Sequence, residues 1–416
     1  MNPTKRKLRI VICGVRGIPH TYSGTETLCV QLAPRLVERG HEVIVYCRRG
    51  LFRERPKFYK GVRLIYLPCI ETKVLGQPTH TLFCMLDVVF RRVDVILVAN
   101  VANTIFCIIP RLFGIPVAIS VDGLEWKRDK WGPIGKRFFY WSASIVGKIC
   151  PKGVYTDAYE MHRVYLEEFR TPSACVTVGA SIDTSTNPEV VRQYGLEPFQ
   201  YYLIASRLVP ENNAHLIVRG FEETRSRRLL AIAGNANYRS DFVERLRQTK
   251  DPRVRFLGHV ANVEHVKELH CNAYAYIHGH SMGGTNPSLL QALGCGNCVL
   301  ALNTPFNSEV LRDYGVLFDQ DPADLAAKIE YLENNPTVAA EFRRRAPQRI
   351  REAYSWEHIT DQYEELFLQL ASGQNPSLIH SSVTNHPVAR ERTEGFLAAT
   401  RRVGKEARRS QMKEPN

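Results

Sequence analysis

The chain has 416 residues, 44% of them hydrophobic, which can bury a substantial core and is more than one domain ordinarily holds. Fifty-five Lys and Arg against 42 Asp and Glu leave a formal net charge of +13; this points to anionic partners without choosing among nucleic acid, an acidic membrane and a phosphorylated substrate. Eleven cysteines, an odd number scattered through apolar segments, argue against the dense disulfide framework of a small secreted domain, and reduced thiols are expected.

Met1 to Lys7 is basic, but the apolar run behind it is only as long as a strand and lacks a small-residue cleavage site, so no signal peptide is expected. Leu8 to Cys13 reads as a buried strand, Thr25 to Arg39 as an amphipathic helix stopped by Gly40, and His41 to Cys47 as the next strand. That is a βαβ unit, and its apolar strands imply a parallel sheet covered on both faces. Further strands are expected at 63–67, 94–98, 116–121, 152–156 and 174–178. The most apolar window, 95–119, is interrupted by Asn100, Asn103, Pro110, Arg111, Gly114 and Pro116, so it reads as strand, helix and strand and not as a membrane span. Gly179 to Asp183 breaks the pattern. A second α/β series then has strands at 201–205, 229–233, 254–257, 273–277 and 298–301.

The expected architecture is α/β: two doubly wound Rossmann-like domains, 1–182 and 183–354, facing a central crevice at the carboxyl ends of both sheets, where ligands of such folds bind. Residues 355–371 read as one more helix, with Trp356, Ile359, Tyr363, Leu366 and Phe367 on one face. Residues 372–416 are polar, with eight Lys/Arg and four Asp/Glu, and read as a basic disordered tail.

The most informative segment runs from His278 to Gly296, where a strand gives way to small residues and then an apolar helix. Gly283, Gly284 and Thr285 present backbone N–H groups with little side chain in front of them. Pro287 and Ser288 suit a helix start, and a helix N-terminus adds roughly half a positive charge. Such a loop can hold a diphosphate without a metal; an ordinary strand-to-helix turn would also explain the glycine pair by itself.

Other segments carry a family pattern in the same chain order: Gly14-Val-Arg-Gly-Ile-Pro-His-Thr-Tyr-Ser-Gly-Thr-Glu-Thr27, Val121-Asp-Gly-Leu-Glu-Trp-Lys-Arg-Asp-Lys-Trp131, Ala205-Ser-Arg-Leu-Val-Pro-Glu-Asn-Asn213 and Phe256-Leu-Gly-His-Val260. With the glycine loop they resemble nucleotide-sugar glycosyltransferases of family 4, in particular the branch holding bacterial rhamnosyltransferases. The resemblance implies a GT-B architecture in which helix 355–371 crosses back to the first domain. It implies retaining, metal-independent transfer from a nucleotide-sugar donor, with dTDP-L-rhamnose the leading guess. The acceptor would be a glycan or a polyprenyl-diphosphate-linked saccharide in polysaccharide biosynthesis. No cofactor is expected. The location would be cytoplasmic, with peripheral attachment to the inner face of the membrane left open.

A departing nucleoside diphosphate needs fixed cations and N–H donors. The resemblance assigns this to Arg207, whose planar fork suits a diphosphate, and to Gly24, which brings the first helix N-terminus to the same group. Many relatives have two glycines where this chain has Ser23-Gly24. The lysine found in many members five residues after the arginine is Asn212 here, and Arg16 is the basic group that would stand in. His280, Gly283, Gly284, Thr285 and Asn286 complete the donor-side set. The family's two glutamates eight positions apart correspond to Gly283 and Gln291; an amide still accepts a ribose hydroxyl, more weakly than a carboxylate. Asp122 stands where many members place a histidine near the reacting sugar, and it is assigned the chemistry together with Arg207. Glu125, Lys127 and Arg128 fall on the acceptor side. Each has a structural reading beside the functional one: a surface ion pair for Arg207, a turn for Gly24, an Asx-turn or helix cap for Asp122, an incidental loop residue for His280. Glu26 reads as a helix-dipole partner.

No Asp, His or Cys cluster has metal spacing; Asp319-Gln-Asp321 is the one Asp-x-Asp on offer, and Cys295 and Cys298 read as packing residues. Trp131, Phe138, Phe139, Tyr140 and Trp141, interleaved with Lys130, Lys136, Arg137 and Lys148, suit an acidic membrane interface, or equally a core with a solvated face. No nucleic-acid recognition motif accompanies the charge, so nucleic acid is not an expected partner. Two other functions remain open: a decayed transferase serving as a membrane-associated assembly partner, and a nucleotide-sugar epimerase of GT-B type.

Overall fold

The structure is a computed structural model that describes residues 6–19, 24–72, 75–128, 131–235 and 241–376. Ser23, Lys130 and the tail from 377 onward lie outside the described residues. The first sheet has eight strands: β1 (Arg9–Cys13), β2 (Glu42–Arg48), β3 (Phe58–Tyr59), β4 (Val62–Leu67), β5 (Val95–Val98), β6 (Val117–Ser120), β7 (Val154–Thr156) and β8 (Ala174–Cys175). Their spatial order is β3-β4-β2-β1-β5-β6-β7-β8, parallel except for the short β3–β4 hairpin at the edge. The second sheet has β9 (Tyr201–Ala205), β10 (Leu229–Ala233), β11 (Val254–Gly258), β12 (Ala275–His278), β13 (Cys298–Leu302) and β14 (Val316–Phe318), ordered β11-β10-β9-β12-β13-β14 and parallel throughout. These are two Rossmann-like domains of GT-B architecture. The central strands are apolar along their whole length because helices cover both faces of each sheet.

In each sheet the strand order reverses once, between β1 and β5 and between β9 and β12. Ligands of doubly wound sheets bind at the carboxyl ends of the strands flanking such a switch point. The helix Gly24–Glu38, which leaves β1, covers one face of the first sheet. The helices Gly76–Val88, Ile108–Leu112 and Pro133–Ile149 cover the other.

The helix Trp356–Ala371 returns to the first domain. Tyr363 meets Tyr155 of β7 edge to face at 5.7 Å. Arg39 pairs with Asp361 at 2.7 Å and Glu364 at 2.8 Å, and His41 Nε2 lies 3.2 Å from Glu364. Ser355, its N-cap, accepts from the His358 N–H, and the Ala180 N–H donates to the Tyr354 carbonyl at 2.8 Å, so the chain re-enters the first domain beside the point where it left it.

Three local features differ from the sequence reading. β3 and β14 are two and three residues long, too short to show a periodic pattern. β8 is shorter than 174–178 because the chain turns away after Val176 bonds Thr156. In the window 95–119 a 3-10 turn, Val101–Cys107, precedes the short helix. All eleven cysteines are free and ten are buried. Among the described residues no helix is long and apolar enough to cross a membrane.

Candidate active site

The first domain contributes three loops, each leaving the carboxyl end of a strand. After β1 the Arg16 N–H donates to Glu26 Oε1 at 3.1 Å, and Glu26 is buried, so this carboxylate ties the loop to the helix Gly24–Glu38. After β6 comes Asp122, then Glu125, which accepts the Trp131 indole N–H at 2.6 Å and lies 3.2 Å from Arg128 Nε. After β7 comes Asp157. Oδ1 of Asp122 and Oδ1 of Asp157 are both buried without a hydrogen-bond partner among the described residues.

Burial, reinforced by the like charge of Glu125, pushes the Asp122 carboxyl up to about 6; the Ser120 hydroxyl and Arg128 oppose it. Burial pushes Asp157 well above the ordinary range too, with Asp122 and Glu309 adding to the effect. Buried carboxyls with like charges beside them hold a proton to higher pH than an ordinary aspartate does.

The second domain contributes two loops stitched to each other. The Asn212 amide donates to the Arg207 carbonyl at 2.8 Å, the Asn213 amide to the Gly279 carbonyl at 2.9 Å, and the Ser281 N–H to the Glu211 carbonyl at 3.0 Å. Arg207 itself is exposed at the end of β9. Beyond β12, the rings of His278 and His280 stack at 4.3 Å. Burial holds the His280 imidazole down to about 3, helped by the guanidinium charges of Arg207 and Arg128, so it is neutral at pH 7; its Nδ1 is buried and unpartnered among the described residues. Asn286 is the N-cap of the helix Pro287–Gly294, its Oδ1 accepting from the Ser288 N–H at 3.1 Å. Gln291 lies one turn into that helix.

The two walls meet here. A Cβ added to Gly24 would lie 3.1 Å from Pro287 Cγ, so the starts of the helices Gly24–Glu38 and Pro287–Gly294 approach each other across the crevice. A Cβ on Gly284 would fall 1.7 Å from Asp157 Oδ1; only a glycine lets the loop pass that carboxylate. The Thr285 hydroxyl donates to the Asp157 carbonyl at 2.6 Å. Arg128 Nη2 would stand 3.5 Å from a Cβ on Gly283, so a first-domain guanidinium reaches the second domain's glycine loop. Glu309 of the second domain accepts the Tyr159 N–H at 2.8 Å and the Glu160 N–H at 3.3 Å, capping a first-domain helix.

Of the residues singled out from sequence, the structure gathers Gly24, Asp122, Glu125, Arg128, Arg207, Asn212, His280, Gly283, Gly284, Thr285, Asn286 and Gln291 on the two walls. Lys127 is turned instead to Glu168, 3.0 Å away. The side chain of Asn212 is engaged in holding its own loop and that of Asn286 in capping. Asp321 caps the helix Pro322–Asn334 through the Ala323 N–H at 3.1 Å. Asp157, His278 and Glu309 were missed. Asp157 had one available signal: it is the first residue past a parallel strand, where ligands of such sheets bind.

Residues 22–153 match the model of Glycosyltransferase Family 4 and residues 187–351 that of Glycosyl transferases group 1. The chain is 25% identical over 181 residues to O-antigen chain mannosyltransferase B of Escherichia coli, which is 42% of this chain and 47% of that protein, so the match spans about half the length of this curated relative. Among solved structures, sucrose-phosphate synthase (tll1590) of Thermosynechococcus elongatus aligns with a TM-score of 0.71 at 16% identity, covering 89% of this chain and 100% of that one. Anabaena Alr3699/HepE in complex with UDP aligns with a TM-score of 0.68 at 15% identity, covering 86% and 99%. Each family model falls on one domain, in chain order, on either side of a crevice built by GT-B geometry, so the chain joins a Glycosyltransferase Family 4 domain to a Glycosyl transferases group 1 domain in a GT-B glycosyltransferase architecture.

Proposed function

We propose that the protein transfers a sugar from a nucleoside-diphosphate donor to a glycan acceptor carried on a lipid diphosphate, with retention of configuration and without a metal. The observation that carries this reading is the meeting of two helix N-termini across the crevice, Gly24 facing Pro287, beside an exposed arginine and a half-buried glycine loop. Two positive helix ends and Arg207 form a place for a diphosphate, and they stabilise the charge that develops as it leaves. Arg128, reaching Gly283, is the better stand-in than Arg16 for the cation absent at Asn212. Asp122 and Asp157 face sugar hydroxyls as acceptors, and Gln291 accepts from the ribose. Glu125 and Arg128 steady the loop on the acceptor side.

The donor sugar is L-rhamnose by the motif pattern, while the curated relative is a mannosyltransferase and a solved relative was captured with UDP. Calorimetric titration of dTDP-rhamnose, GDP-mannose, UDP-glucose and UDP-GlcNAc into wild type and Arg207→Ala decides among them. One nucleotide series should bind in the micromolar range and be lost in the variant. Well-folded protein that binds none of them defeats the proposal. Product formed from donor alone, with no acceptor, would mark an epimerase. A nucleotide-binding chain that no longer transfers is favoured by one observation: the Asn212 side chain serves its own loop. That reading requires slow donor hydrolysis to be absent as well.

A further inference from the structure

The helices Gly76–Val88, Ile108–Leu112 and Pro133–Ile149 pack on one face of the first sheet through Cys84, Met85, Ile109, Ala143 and Val146. Their outward side, with the residues at their ends, carries eleven of the nineteen large apolar side chains exposed among the described residues. Phe90 is 90% exposed, Ile134 88%, Leu112 78% and Phe113 64%. On Pro133–Ile149 the exposed Ile134, Phe138 and Trp141 follow the i, i+4, i+7 spacing of one helical stripe. The opposite face of the same sheet is a control: the helices Gly24–Glu38 and Trp356–Ala371 expose no large apolar side chain. Scattered exposed apolar residues are ordinary, whereas a set concentrated on one layer marks an interaction surface.

The charge on this layer is one-sided. Segments 75–92, 105–114 and 132–150 hold six Lys/Arg and a single acid, against 55 to 42 in the whole chain. That acid, Asp87, is already bonded to Tyr46 and Arg91. Arg92, Arg137 and Lys148 are exposed, and Arg111 donates to the Ile149 carbonyl at 2.7 Å, joining two of the helices. Apolar side chains among an excess of cations match a bilayer with anionic headgroups.

The layer is also joined to the site. The Trp131 ring lies 4.9 Å from that of Phe139, and its indole N–H holds Glu125 in the loop that carries Asp122. We infer that this three-helix face docks the protein on an acidic phospholipid surface, so that an acceptor whose lipid stays in the bilayer offers its head to the crevice. The inference rests on the proposed transferase reading for its purpose but not for its test.

The test is co-sedimentation of the full chain with vesicles of phosphatidylglycerol and phosphatidylcholine, and with vesicles of phosphatidylcholine alone, at low and high salt. Wild type is expected to pellet with the anionic vesicles and to be released by salt. Ile134→Asp with Phe90→Asp should weaken binding by roughly tenfold or more. Arg137→Glu with Lys148→Glu should weaken it by about fivefold for each basic residue removed and flatten the salt dependence. Phe58→Asp, at an exposed position on β3 outside this layer, should change nothing. Unchanged melting and nucleotide binding establish that each variant is folded. Failure of wild type to pellet, equal pelleting with both vesicles, or full binding by both double variants overturns the inference. A wild-type dimer that Ile134→Asp with Phe90→Asp dissolves, without vesicle binding, would assign the face to a second copy and overturn it too. Absence of nucleotide binding would defeat the transferase reading and leave the vesicle result standing.

Discussion

The two walls of the crevice are made of different materials. The first-domain wall is built from side chains: Asp122, Glu125 and Asp157 around one guanidinium, with the Asp122 and Asp157 carboxyls driven upward by burial. The second-domain wall is built largely from backbone: a glycine loop, a helix start, and side-chain amides spent on fastening loops. Backbone N–H groups suit a diphosphate, which asks for many donors. Carboxylates suit sugar hydroxyls, which need acceptors. On the proposed reading the second-domain wall, with Gly24 and Arg128 reaching it from the first domain, takes the phosphates, and the first-domain carboxyls take the sugar and acceptor.

The largest effect is expected where the walls touch. Gly284→Ala places a methyl within 1.7 Å of Asp157 Oδ1, so transfer should fall by more than about a hundredfold. Asp157→Ala in the same chain removes the obstacle, and part of the activity should return; no recovery would break the picture of contacting walls. Next, Arg207→Ala should weaken nucleoside diphosphate binding by roughly thirtyfold, about 2 kcal/mol. Asp122→Asn should leave that binding within about twofold while lowering kcat. Equal losses of nucleotide affinity in both variants would erase the division between the walls.

A third expectation concerns pH. Asp122 has a carboxyl at about 6 in the folded protein, against about 4 in an unfolded chain. The native state therefore binds this proton more tightly than the unfolded state does. The stability this lends is present in full below pH about 4 and is lost as pH rises through about 6. Asp122→Asn mimics the protonated form, so it should raise Tm at pH 8 by a few degrees and match wild type at pH 4. A variant less stable than wild type at pH 8 would contradict the burial of this carboxyl. The smallest effect belongs to Gln291→Glu. An ionised acceptor should tighten donor binding by a few-fold in calorimetry; weaker binding would remove the ribose from Gln291.

What was legible in the sequence was local. β1, β2, β9 and β10 follow from runs of apolar residues, and the helix Pro287–Gly294 from Pro287-Ser288 after two glycines. The aromatic and basic residues of Pro133–Ile149 drew notice, but their partners on Gly76–Val88 and Ile108–Leu112 did not, because each of those segments alone looks like an ordinary core helix with a stray exposed residue.

By itself the sequence determined the alternation of strands and helices, the order of the two domains and the character of the glycine loop, since each depends on residues within a turn or two of one another. Only the tertiary structure decided that Asp157 meets Gly284 and Thr285, that Glu309 caps a helix of the other domain, and that three separate helices share one apolar cationic face. The Thr285–Asp157 bond spans 128 positions of chain. No periodicity or turn chemistry reaches that far; such contacts are set by how two packed domains close on each other.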